Sequence, residues 1–76
     1  MIKPPTNRQR EYLELIYEFH LINEIYPTAQ DLAKLLVVSP PAVHYVLKIL
    51  TRDKWIISNK NKILGLKSKT LQILSS

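Results

Sequence analysis

The chain has 76 residues, 46% of them hydrophobic, with no cysteine and a formal charge of +5. That length makes one small domain with a modest core, and the missing cysteine excludes disulfides and thiolate metal sites. No apolar run approaches the roughly 18 residues of a membrane span, and Lys3, Arg8 and Arg10 lead into an acidic amphipathic stretch instead of an apolar signal segment.

The charge is unevenly placed. Residues 1–38 hold four basic side chains against five acidic ones, whereas residues 39–76 hold seven basic side chains and Asp53 alone. One basic half on a small domain suits a polyanion. A cysteine-free chain of this kind is expected in the cytoplasm, associated with the nucleoid.

In chain order, "MIKPP" reads as an extended lead-in, because its prolines hold it out of helix. Thr6, with Gln9 three residues on, has the spacing of a capping box and starts a first helix over about 7–22. Tyr12, Leu13, Ile16, Phe19 and His20 share one side of it, with Glu11, Glu14 and Glu18 on the opposite side. Pro27 breaks the pattern, and Thr28 with Asp31 opens a short second helix over about 29–36. Ser39 caps a third helix over about 40–53, with Pro40 at the first helical position, where a missing N–H costs nothing, and Pro41 beside it in the first turn.

On a helical wheel Val43, Val46, Leu47 and Leu50 gather on one side of this third helix. Pro41, His44, Tyr45, Lys48 and Arg52 gather almost opposite, in a stripe with no carboxylate. Trp55–Ser58 then reads as a strand, Asn59–Lys62 as a turn and Ile63–Lys67 as a return strand, a wing-like hairpin over about 55–67 with a basic tip. In the tail, 68–76, Leu71, Ile73 and Leu74 suit an extra strand, a short helical turn or a dimer contact.

The expected fold is mainly α with a small β-hairpin: a winged helix-turn-helix, built as a three-helix bundle plus wing. Ala33 is small where the second and third helices must approach. A glycine is usual in the intervening turn, because it adopts positive φ freely. Val37 stands there, and a β-branched residue is an outlier at positive φ, so a different turn geometry is expected.

The segments "TNRQREYLELI", "YPTAQDLAKLL", "SPPAVHYVLKIL" and "DKWI" make residues 5–66 resemble the winged-helix DNA-binding domains of LexA-type repressors. The spacings also overlap with winged-helix regulators of the MarR and DtxR types. The resemblance implies that the third helix lies in the major groove and that the wing touches the DNA backbone. It places Ser39, Pro41, Ala42, His44 and Tyr45 at the bases. The family has an amide where Pro41 stands and acids where His44 and Tyr45 stand, so a different operator is implied. These 76 residues hold no counterpart of the family's peptidase domain, so self-cleavage is not expected of them.

Chemistry fills in the remaining roles. Lys48 can donate to guanine acceptors or to a phosphate, His44 to base acceptors, and Tyr45 can stack on a sugar or methyl edge. Ser39, Thr28 and the backbone N–H groups at both helix starts are expected to hold phosphates. Lys60 and Lys62 at the wing tip, flanked by Arg52 and Lys54, are expected to track the backbone. The expected partner is double-stranded DNA, bound as a homodimer on paired half-sites. The rival reading is a winged-helix module docking on a host protein. Neither a cofactor nor a small-molecule ligand is expected. Gly65 is the single glycine, so no phosphate loop exists; no Ser/His/Asp set is recognisable, and His20 and His44 lack metal-ligand spacing. Enzymatic activity is therefore not expected, and His20 reads as a partly buried structural side chain.

Overall fold

A computed structural model describes residues 3–60 and 62–75. Met1 and Ile2 of the lead-in, Asn61 of the expected turn and Ser76 of the tail lie outside the described residues. The elements run α1 (Asn7–Asn23), α2 (Ala29–Leu36), α3 (Pro40–Arg52), β1 (Ile56–Asn59), β2 (Lys62–Leu66) and α4 (Ser68–Leu74). The described residues are thus mainly helical, with one two-stranded antiparallel hairpin among them.

The first two helices begin as their cap residues dictate. The Thr6 hydroxyl accepts the Gln9 N–H at 3.1 Å, and Gln9 Oε1 accepts the Thr6 N–H at 2.9 Å. Thr28 and Asp31 repeat this reciprocal pair at 3.1 and 3.0 Å. Each pair satisfies two backbone donors that a bare helix start would leave open. α1 buries Tyr12, Leu13 and Ile16, leaves Phe19 and His20 half-buried, and exposes Glu11, Glu14 and Glu18. His20 stacks on Tyr26, ring centroids 4.0 Å apart. That is a structural use of the histidine.

The turn between α2 and α3 overturns the expectation for Val37. Its φ is 56° and ψ 51°, the left-handed region. The Val37 N–H donates to the Lys34 carbonyl at 3.3 Å and the Val38 N–H to the Ala33 carbonyl at 3.0 Å. This is the Schellman closure, in which two otherwise orphaned helix carbonyls are satisfied together. Those bonds offset the roughly 1–2 kcal/mol that a left-handed L-residue costs. The chain then turns by 114° into α3. Ala33 is buried, as close approach of the two helices requires.

The core is one cluster. Tyr12, Leu13 and Ile16 of α1 meet Ala29, Leu32 and Ala33 of α2, Val43, Val46, Leu47 and Leu50 of α3, and Trp55, Ile56 and Ile63 at the hairpin. β1 begins one residue later than expected, because Trp55 sits in the bend before it. Ile56 pairs with Leu66, Ile57 with Gly65, Ser58 with Ile63 and Asn59 with Lys62, with a register shift between Ile57 and Ser58. Lys62, expected in the turn, opens β2.

The tail forms a full helix, α4, and no strand, so the described residues form four helices and not three. Lys67 offers α4 no side-chain cap. Tertiary bonds hold it instead. The buried Thr70 hydroxyl donates to the Trp55 carbonyl at 2.5 Å, and Lys69 Nζ donates to the Asp53 carbonyl at 2.8 Å. Ile73 and Leu74 pack against the core.

Candidate nucleic-acid interface

α3 divides as its wheel requires. Val43, Val46, Leu47 and Leu50 are buried, whereas Tyr45 is 68% exposed, Lys48 and Arg52 are exposed, and His44 is half-buried. An open groove runs between this outer side and the hairpin. His44, Tyr45, Lys48 and Arg52 line it from α3 and Lys60 from the hairpin turn, with Leu47, Thr51 and Ser58 at its floor. Five residues singled out from sequence therefore share one surface.

Thr51 and Ser58 were not foreseen. The Thr51 hydroxyl donates to the Leu47 carbonyl at 2.8 Å and lies 2.7 Å from the Ser58 hydroxyl. With the Thr51 proton on Leu47, Ser58 is the donor of the second bond. The pair ties α3 to β1 across the floor of the groove. No local pattern announces it, because it depends on how the hairpin lies against the helix.

The remaining expected residues are distributed around this groove. Ser39, Pro41 and Ala42 are exposed at the start of α3, and Ser39 borders a separate hollow with Gln30, Lys34 and Val37. Thr28 forms an isolated antiparallel bridge with Lys62, which brings these two together at the start of α2. Lys54 is exposed in the turn after α3, with φ 63°, and lines no part of the groove.

One expectation about a helix start is corrected. Ser39 occupies the N-cap position, but its hydroxyl makes no cap bond. Pro40 and Pro41 have no N–H, and the N–H groups of Ala42 and Val43 both donate to the Ser39 carbonyl, at 3.1 and 3.3 Å. The Ser39 hydroxyl thus has no N–H of the first turn left to cap, and the two prolines remove two of the backbone donors that a helix start would offer a phosphate. At α2 the capping box consumes the N–H groups of Thr28 and Asp31, and the Asp31 carboxylate stands beside them.

The electrostatics follow from the pairing. Among the described residues the ion pairs are Arg10–Glu14 and Arg52–Asp53, both at side-chain Nε. Asp53 draws the Arg52 Nε to 3.1 Å, yet the Arg52 side chain stays 72% exposed. Lys48, Lys54, Lys60 and Lys62 have no carboxylate partner there. The acids of α1 line a different groove, with Arg10, Leu15 and Leu35, that shares no residue with the one beside α3.

Among the described residues no three His, Asp or Glu side chains gather as a metal site would require, and no single helix is long and apolar enough to cross a membrane. No protein-family model matches the sequence, and no curated protein is significantly similar to it.

Proposed function

We propose that this chain is a winged helix-turn-helix module that binds double-stranded DNA sequence-specifically, as a repressor-like transcriptional regulator. The observation that carries this reading is the groove in which the carboxylate-free side of α3 meets Lys60. The 114° turn between α2 and α3 lies in the range of helix-turn-helix pairs, and the hairpin follows α3 as a wing would. The motif likeness to LexA-type domains points the same way.

In this reading α3 enters the major groove. His44, Tyr45 and Lys48 read base edges, with Ser39, Pro41 and Ala42 at the leading end. Lys60, Lys62, Arg52 and Lys54 neutralise phosphates, and Thr28 donates its remaining O–H to one. Two copies bind paired half-sites, since one module this small buries little surface and pairing adds specificity. The protein acts in the cytoplasm, at the nucleoid.

The test is selection of bound duplexes from random DNA, followed by affinity against salt concentration. Phosphate neutralisation gives log K falling steeply with log salt. Lys60→Ala with Lys62→Ala weakens all sequences alike, whereas Tyr45→Ala blurs base preference. No retention of DNA at low salt overturns the reading. One observation favours the second reading, docking on another protein: Leu21, Ile22 and Ile25 are exposed together at the end of α1, Ile22 by 80%. A flat salt response would support it.

A further inference from the structure

Arg52 borders a second concavity besides the groove along α3. Lys3 and Thr6 line this cleft from the start of the chain, Asp53 and Trp55 from the turn after α3, and Lys69 from α4. We infer that it is a second phosphate-binding surface, which extends the DNA contact past the end of α3 through Lys3, Arg52 and Lys69. The inference rests on the DNA-binding reading above.

Three cations from three separate parts of the chain converge on this cleft, against Asp53 as its one carboxylate. Asp53 is already engaged with Arg52 Nε at 3.1 Å. Lys69 has no carboxylate partner among the described residues, yet it is held in place. Its Nζ donates to the Asp53 carbonyl at 2.8 Å and lies 4.0 Å over the centre of the Trp55 ring. Both contacts aim the ammonium without cancelling its charge. An ammonium has three donors, and the carbonyl takes one. The Thr6 hydroxyl accepts the Gln9 N–H and keeps its own proton to donate.

Converging like charges repel one another until a polyanion neutralises them. Lysines spaced along a cleft match a phosphodiester backbone better than a single small anion, because each serves a separate phosphate as a point charge. Because Arg52 lines both surfaces, the basic track is continuous from Lys60, past Lys48 and Arg52, to Lys69 and Lys3.

The test uses the duplex selected above and compares the full chain with Lys3→Ala, Lys69→Met and the double variant. Fluorescence anisotropy over a salt series gives the slope of log K against log salt. Each substitution is expected to reduce its magnitude by about 0.9, the share of one phosphate contact, and to leave base preference unchanged. Lys69→Met keeps the aliphatic stem on Trp55. Should it fail to fold by circular dichroism, Lys3→Ala, at an exposed position, decides the matter alone. An unchanged slope in variants that still bind overturns this inference and leaves the DNA reading standing. Failure of the unmodified chain to bind any duplex overturns both.

Discussion

The hydroxyls of Thr51 and Ser58 lie 2.7 Å apart and join the last turn of α3 to the first strand of the hairpin. Thr51→Val keeps the shape and removes the bond. Ser58 then loses its partner in a half-buried site, at a cost of about 1 kcal/mol, and the melting temperature falls by about 5 °C. If the groove binds DNA, affinity falls while the salt slope holds, since no charge has been touched. Calorimetry and binding titrations check the two halves separately.

Tyr12 is buried, and its hydroxyl has no hydrogen-bond partner among the described residues. Burial raises its pKa above the ordinary value of 10.0; Arg8 opposes the shift and Glu11 adds to it. The unfolded chain ionises near that ordinary value while the native state keeps the proton. Raising the pH through this range therefore favours unfolding, and the stability present in full below pH 10.0 is lost as pH climbs toward the native pKa. Tyr12→Phe is expected to gain about 1 kcal/mol at neutral pH, by deleting an unpaired buried hydroxyl, and to flatten the alkaline loss. Urea unfolding at pH 8 and pH 11, followed by Trp55 fluorescence, measures both.

Val37 is 88% exposed and stands at φ 56°. Little packing is lost by trimming it, and glycine takes this conformation without strain. Val37→Gly is expected to stabilise by about 0.5–1 kcal/mol, the relief of strain exceeding the added freedom of the unfolded chain. Val37→Ala, which lacks the branched β-carbon, falls between the two. A melting temperature below that of the unmodified chain for both variants would contradict this account of the turn.

Gly65 is the reverse case. It has no positive φ, pairs with Ile57, and a β-carbon there meets Ile57 Cδ1 at 3.9 Å, an ordinary contact. Gly65→Ala is expected to raise stability by about 0.5–1 kcal/mol through lower entropy in the unfolded chain. Thermal unfolding decides it.

What was legible in the sequence was what depends on near neighbours. Thr6 with Gln9, Thr28 with Asp31, and Ser39 before two prolines mark helix starts to the residue, because each is a local hydrogen-bonding or steric device. The exposed side of α3 follows from its period, and the hairpin from its β-branched and aromatic residues. Val37 misled because the left-handed penalty is a preference, and two backbone bonds outweigh it. α4 was ambiguous because Lys67 gives it no cap and its hold is tertiary, through Thr70 and Lys69 on the carbonyls of Trp55 and Asp53. The same reason hid the groove floor and the second cleft. Residues 51 and 58, or 3, 52 and 69, come together through packing alone.

Pro40 and Pro41 take two main-chain donors away from the leading end of α3, and Ala42 and Val43 spend theirs on the Ser39 carbonyl. Whatever docks there meets mostly replaceable side chains and little main-chain grip. A change of target then requires new side chains at a few exposed positions and no change in the path of the chain, so this small domain is a chassis on which preference can drift while its architecture stays put.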